Sequence, residues 1–67
     1  MDSIGMRIHS VRKNAGQTQA EFSKNIRISQ PHLSGIEKGH CQPSGAVILL
    51  ISILFDVNEN WLINGSK

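Results

Sequence analysis

The chain has 67 residues, of which seven are basic and five acidic, for a formal charge of +2. A domain of this size buries only about 60% of the surface of its unfolded chain, so we expect it to gain stability from a disulfide, a metal or a partner subunit. Its single cysteine, Cys41, excludes an internal disulfide, and its longest apolar stretch, residues 46–55, is too short for the roughly 20-residue helix that spans a membrane.

The first two predicted helices carry clear start and stop signals. Apolar residues recur in the first at the spacing of one buried helix face (Ile4, Ile8 and Val11). Gly16 suits the left-handed conformation that ends a helix. Thr18, with Glu21 three residues later, forms a capping box that starts the second helix.

Three further helices are predicted to begin at polar capping residues, namely Ser29, Ser44 and Asn58. Pro31 lies in the first turn of the third helix, where its missing N–H has no cost. The fourth helix is predicted to reach Phe55, and the fifth to close at Gly65. Only residues 27–29 separate the second helix from the third, and two short helices joined so tightly form a helix-turn-helix.

The segments from Thr18 to Ser23 and from Ile26 to Gly39 resemble the Cro/CI-type (XRE-like) helix-turn-helix repressor family. The flanking residues agree with this resemblance, including residues 4–13, Pro43 with Ser44, and Trp61 with Leu62. The resemblance implies an all-α, compact, five-helix, lambda-repressor-like domain over residues 1–67. Its helix-turn-helix would occupy about residues 18–38. The chain would be either a whole regulator or the N-terminal part of a longer repressor.

The resemblance also implies a sequence-specific transcriptional regulator, a phage or bacterial repressor that binds a palindromic double-stranded DNA operator as a homodimer. The third helix would enter the major groove. The residues expected to read bases are Gln30, Pro31, His32, Ser34 and Gly35. Gln30 can pair with adenine, whereas Pro31 and Gly35 offer only a methyl contact or close approach. We therefore expect DNA shape to supply part of the specificity.

Other residues are expected to position the protein on DNA. Phosphate contacts are expected from Thr18, Gln19, Lys38, His40, Gln42 and Ser44. The resemblance further implies that Gln19 braces Gln30, and that Arg12 and Glu37 form an internal ion pair. The turn position usually held by glycine is Arg27 here, which departs from the family pattern. If that turn is left-handed, its Cβ costs roughly 1 kcal/mol.

The fourth helix is more apolar than its fold requires. Residues Ile48, Ile51, Ser52 and Phe55 share the expected core face, whereas Ala46, Leu49, Leu50 and Ile53 lie on the opposite face. Either this second face packs under a neighbouring helix, or it is a surface for a second subunit or a downstream domain. In the second case we expect Leu49, Leu50, Ile53 and Trp61 to form the partner surface.

Chemistry of other kinds has little support in the sequence. The histidines and Cys41 lack zinc-ligand spacing, and the five carboxylates are scattered, so we expect no metal, no cofactor and no enzymatic activity. Residues 1–5 lack the regions of a signal peptide, and we expect a cytoplasmic protein without membrane contact. Two alternatives stay open, namely an antitoxin or restriction–modification controller, and a helical protein-interaction module that does not bind DNA.

Overall fold

Five helices make up the fold in the computed structural model, which describes residues 3–65. Their bounds are α1 Ile4–Asn14, α2 Gln19–Asn25, α3 Gln30–Glu37, α4 Gly45–Phe55 and α5 Glu59–Asn64. No strand occurs within residues 3–65, and no helix there is long and apolar enough to cross a membrane. The predicted all-α, five-helix class is confirmed.

Side-chain caps explain where the helices begin. A polar residue before each helix accepts a hydrogen bond from the backbone N–H three positions later, and these residues are Ser3, Thr18, Ser29, Ser44 and Asn58. The capping box of α2 is complete, because Glu21 Oε1 also accepts from the backbone N–H of Thr18 at 2.9 Å. Local sequence therefore determines these starts.

The turn between α2 and α3 is left-handed at Arg27, whose φ is 66°. A Cβ in this region approaches the neighbouring carbonyl, which is why glycine is preferred there. Arg27, which replaces the usual glycine, therefore holds a residue with a Cβ in a left-handed backbone conformation. It turns the chain sharply enough for two short helices to cross.

The core draws buried side chains from every helix. Its fully buried members are Ile8, Phe22, Ile26, Leu33, Ile36, Ile51 and Leu62, and Val11, Val47 and Ile48 complete it. Ile28 packs against this cluster from the turn, and Ser23 is only 3% exposed where α2 meets its neighbours. The rings of Phe22 and Phe55 stack with their centroids 4.8 Å apart, which joins α2 to α4.

Two contacts of α1 hold it against α3 and α5. Gly5 is buried against the backbone of α3, and a Cβ at this position would overlap the carbonyl oxygen of Ile36. Arg7 is also buried and donates from Nε to the carbonyl of Leu62 at 2.9 Å and from Nη2 to that of Ile63 at 3.0 Å. These bonds satisfy carbonyls at the end of α5, which have no partner within the helix.

The apolar residues of α4 divide between a core face and an exposed face. Ile48 and Ile51 are buried as predicted, and Val47 joins them. Leu49 is 48% exposed and Ile53 67% exposed, whereas Leu50 is half-buried.

Leu54 and Trp61 are two further apolar residues near the surface. Leu54 is 51% exposed, and it was not assigned to either predicted face of the fourth helix. Trp61 is half-buried and packs against the core, so part of its ring is already covered within this chain.

Candidate nucleic-acid interface

The start of α3 is an exposed surface on a buried support. Gln30, Pro31 and His32 are exposed, while Leu33 and Ile36 on the other side of the same helix are buried. The hydroxyl of Ser29 accepts from the backbone N–H of His32 and fixes the first turn. Three of the residues expected to read bases thus project from a rigid helix end.

Ser34 and Gly35 are half-buried, unlike the three residues before them. The loop after α3 folds back here, because the carbonyl of Gly35 accepts from the backbone N–H of His40 at 2.8 Å. A Cβ at Gly35 would lie 2.9 Å from Cys41 Sγ. The lack of a side chain at Gly35 therefore accommodates this loop. A DNA contact at Gly35 stays a prediction.

Glu37, at the end of α3, accepts hydrogen bonds from two other helices. Arg12 donates from Nε to Oε2 at 2.8 Å and from Nη2 to Oε1 at 3.1 Å, so the pair is bidentate. His9 Nδ1 lies 3.0 Å from Oε1, and Gln19 Nε2 donates to the same atom at 3.1 Å. Since only 5% of the Glu37 side chain is exposed, this carboxylate joins α1, α2 and α3 in a protected site.

The surroundings of Glu37 lower its pKa. Burial is the largest influence and acts in the opposite direction, because it disfavours the charged form. The hydrogen bonds from Arg12, His9 and Gln19, with the positive charge of Arg12, together outweigh burial, and the pKa lies below its ordinary value of 4.5. The ionised carboxylate is thus part of the folded structure.

Gln19 has a different partner from the one that the resemblance implied. Its amide donates to Glu37, and no hydrogen bond joins it to Gln30, although both residues lie in the described part of the chain. A carboxylate is a stronger acceptor than a neutral amide, which explains this choice. Gln30 is therefore positioned by its helix rather than by Gln19.

The residues expected to contact phosphates lie in two neighbouring places, apart from Ser44. Thr18 and Gln19 start α2, while Lys38, His40 and Gln42 are on the exposed turn after α3. The two places meet, because Gln19 and Lys38 line one surface depression. Ser44 stands apart as the cap of α4, where its hydroxyl accepts from the backbone N–H of Val47.

The same depression is also lined by Met6 and His9 of α1, together with Gln19 and Lys38. Neither Met6 nor His9 was predicted to contact DNA. In the sequence, His9 is one of three histidines that lack zinc-ligand spacing. His9 precedes Arg12 by three residues, and this spacing places both side chains on one helix face. That spacing was the sequence signal that could have placed His9 beside Arg12.

Comparison with known proteins identifies a family and several named relatives. A family model described as "Helix-turn-helix" matches residues 8–62. The chain is 31% identical over 65 residues to "HTH-type transcriptional regulator DicA" of Escherichia coli (strain K12), covering 97% of this chain and 48% of that protein. It is also 31% identical over 61 residues to "HTH-type transcriptional regulator ImmR" of Bacillus subtilis (strain 168), covering 91% of this chain and 48% of that protein. The chain thus spans 48% of the length of each relative.

Two solved structures are similar over most of the chain. The P22 c2 repressor, in complex with synthetic operator 9T, gives a TM-score of 0.89 at 26% identity, covering 98% of this chain and all of that one. The N-terminal DNA-binding domain of SinR from Bacillus subtilis gives 0.79 at 30% identity, covering 88% of this chain and 87% of that one. These likenesses confirm the predicted lambda-repressor-like class.

Proposed function

The chain belongs to the helix-turn-helix family of Cro/CI (XRE-like) type, and we propose that it binds double-stranded DNA and regulates transcription from its operator. The observation that carries this proposal is the exposed start of α3. Gln30, Pro31 and His32 face solvent there, while Leu33 and Ile36 fix the helix to the core. This helix end can enter a major groove without rearrangement.

Gln30 is the central reader in this proposal. Its side-chain amide can donate to N7 and accept from the N6 amino group of adenine, a pairing that distinguishes adenine from the other bases. Pro31 offers an apolar surface for a thymine methyl group, and His32 and Ser34 offer hydrogen bonds. With so few polar readers, DNA shape would contribute part of the specificity.

The residues around this helix would hold the phosphates. Lys38 brings a charge at the end of α3, and Gln19 stands across the depression that both residues line. Thr18, His40, Gln42 and Ser44 would add hydrogen bonds at the edges. Such contacts set the position of the protein on the duplex, and they make its affinity depend on salt.

We also propose that two copies associate through the exposed apolar face of α4, formed by Leu49, Ile53 and Leu54 with half-buried Leu50. A second copy suits this face because a domain of 67 residues has little core of its own. A two-fold dimer would present two copies of α3 about 34 Å apart and would require a palindromic operator. Bound over a promoter, it would act as a repressor.

The test of DNA reading is selection of bound duplexes from a random pool with the unaltered protein and with Gln30→Ala. Asn60→Ala, an exposed amide on α5, is the matched control. We expect a palindromic consensus from the unaltered protein and the control, and loss of an adenine preference in Gln30→Ala. Absence of any retained DNA at low salt would reject the proposal in favour of a protein-interaction module.

The test of the dimer is sedimentation velocity of the double variant Leu49→Gln/Ile53→Gln. Met6→Gln is a suitable control, because Met6 is 50% exposed and Leu49 is 48% exposed, on different helices. We expect the double variant to sediment as a monomer at concentrations where the unaltered protein and the control are dimeric. Identical sedimentation of all three would remove this face from the proposal.

A further inference from the structure

His9 is held at one ring nitrogen by two partners of opposite charge. Its side chain is 50% exposed, and its Nδ1 lies 3.0 Å from Glu37 Oε1 and 3.2 Å from Arg12 Nη2. These two contacts fix the orientation of the imidazole on the surface of α1. Within residues 3–65, Nε2 has no hydrogen-bond partner.

Each of the two partners requires a different arrangement of protons on the His9 ring. If Nδ1 accepts from Arg12, the ring is neutral and its single proton is on Nε2. If Nδ1 donates to Glu37, the neutral ring has a bare Nε2, and only the cation carries protons on both nitrogens. The cation therefore keeps the bond to Glu37 and also offers an outward N–H and a positive charge.

The charges around the His9 ring are compatible with a bound anion. They are Arg12 on the same helix, Glu37 at the end of α3 and Lys38 just after it, while the neighbours Met6 and Gln19 are neutral. The charge of Glu37 is already paired with Arg12. His9, Lys38 and Gln19 line the same depression, so a protonated ring there adds to the positive charge of Lys38.

We propose that His9 and Lys38 together bind a phosphodiester group of the DNA backbone, and that protonation of His9 strengthens this contact. The inference rests on the proposed DNA binding and adds an α1 residue to it. His9 would be a positioning residue, since a phosphate contact carries no base information. The imidazolium form carries a positive charge that the neutral ring lacks, so DNA affinity would rise as pH falls.

The test compares the unaltered protein with His9→Asn. The amide nitrogen of asparagine can occupy the position of Nδ1 and donate to Glu37, whereas nothing replaces Nε2. Fluorescence anisotropy on the selected duplex gives Kd at pH 5.5 and pH 8.0 over a salt series. His32 and His40 are the same in both proteins, and Asn60→Ala, an exposed residue of α5 outside the proposed interface, serves as the control.

We expect His9→Asn to bind about fivefold more weakly at pH 5.5 and within about twofold of the unaltered protein at pH 8.0. At pH 5.5 the slope of log affinity against log salt should become shallower, by less than the roughly 0.9 of a whole phosphate contact, because Lys38 still contacts the same phosphate. An affinity ratio that is equal at both pH values, with an unchanged slope, would overturn the inference while leaving DNA binding intact. If the unaltered protein retains no duplex at low salt, the proposed function fails, and the inference fails with it.

Discussion

Arg12 Nε lies 2.8 Å from Glu37 Oε2, and this contact ties the last turn of α1 to the last residue of α3. The Arg12 guanidinium also donates from Nη1 to the carbonyl of Gln17, so the same side chain holds the loop that precedes α2. Since α3 carries the proposed readers, its orientation depends on a pair that is itself remote from the exposed helix start.

Removing one member of this pair should destabilise the fold more than removing both. Arg12→Met leaves the Glu37 carboxylate without its main partner, and we expect a loss of about 3 kcal/mol in the free energy of unfolding. The double variant Arg12→Met/Glu37→Leu removes the stranded charge and should be more stable than Arg12→Met alone. Urea unfolding of the three proteins measures this. A double variant that is less stable than Arg12→Met would contradict the coupling.

The lowered pKa of Glu37 gives stability a defined dependence on pH. A carboxyl whose pKa is lower in the folded than in the unfolded protein stabilises the fold above the unfolded value. That contribution is lost as pH falls from the ordinary value of 4.5 through the lower pKa of the folded state.

Urea unfolding between pH 7 and pH 3 checks this direction in Glu37→Gln. The free-energy difference between the unaltered protein and this variant should shrink as pH falls. Glu59→Gln, which alters an exposed carboxylate of α5, should show a smaller change. A difference that grows towards low pH would show that the direction is wrong.

Replacing Arg27 by glycine should stabilise the fold. Its φ of 66° strains a residue with a Cβ, and its side chain is exposed, so little packing is lost. We expect a gain of up to about 0.5 kcal/mol, since glycine removes roughly 1 kcal/mol of strain but loses about 0.5–1 kcal/mol through its more flexible unfolded chain. Asp56→Gly is the matched comparison, because Asp56 is also left-handed at 54° and aspartate tolerates that region better. Thermal unfolding should rank Arg27→Gly above Asp56→Gly, and the reverse order would contradict the account of strain.

The fold could be predicted from the sequence because its determinants are local. The capping residues Thr18, Ser29, Ser44 and Asn58 mark helix starts by their own hydrogen bonds, which nearby residues complete. The apolar spacing then gives the buried face of each helix. The roles of Gly5 and Arg7 could not be predicted in this way, since their partners lie 31 or more positions away in the sequence.

The candidate site was predictable to a smaller extent. The exposed start of α3 follows from its cap and its buried face, so the positions of Gln30, Pro31 and His32 were accessible from the pattern. The partner of Gln19 was not, because three side chains compete for Glu37 Oε1 and only their three-dimensional placement decides the outcome. His9 was overlooked although it lies three residues before Arg12 on the same helix face.

Gly5 and Gly45 provide a test of how closely α1 must approach α3. A Cβ at Gly5 would overlap the carbonyl oxygen of Ile36, and backbone cannot move aside without shifting the helix. Gly5→Ala should therefore destabilise the fold by about 1–3 kcal/mol, as overpacking does. At Gly45 a Cβ meets nothing within 4 Å, so Gly45→Ala should add about 0.5–1 kcal/mol to the free energy of unfolding through its lower unfolded-state entropy.

Because the two variants make the same chemical change, urea unfolding isolates the effect of the close approach. Equal stability of both proteins would mean that α1 can move away from α3 without cost. In that case Gly5→Ala should still weaken DNA binding, because α1 also carries Arg12, which holds Glu37 at the end of α3.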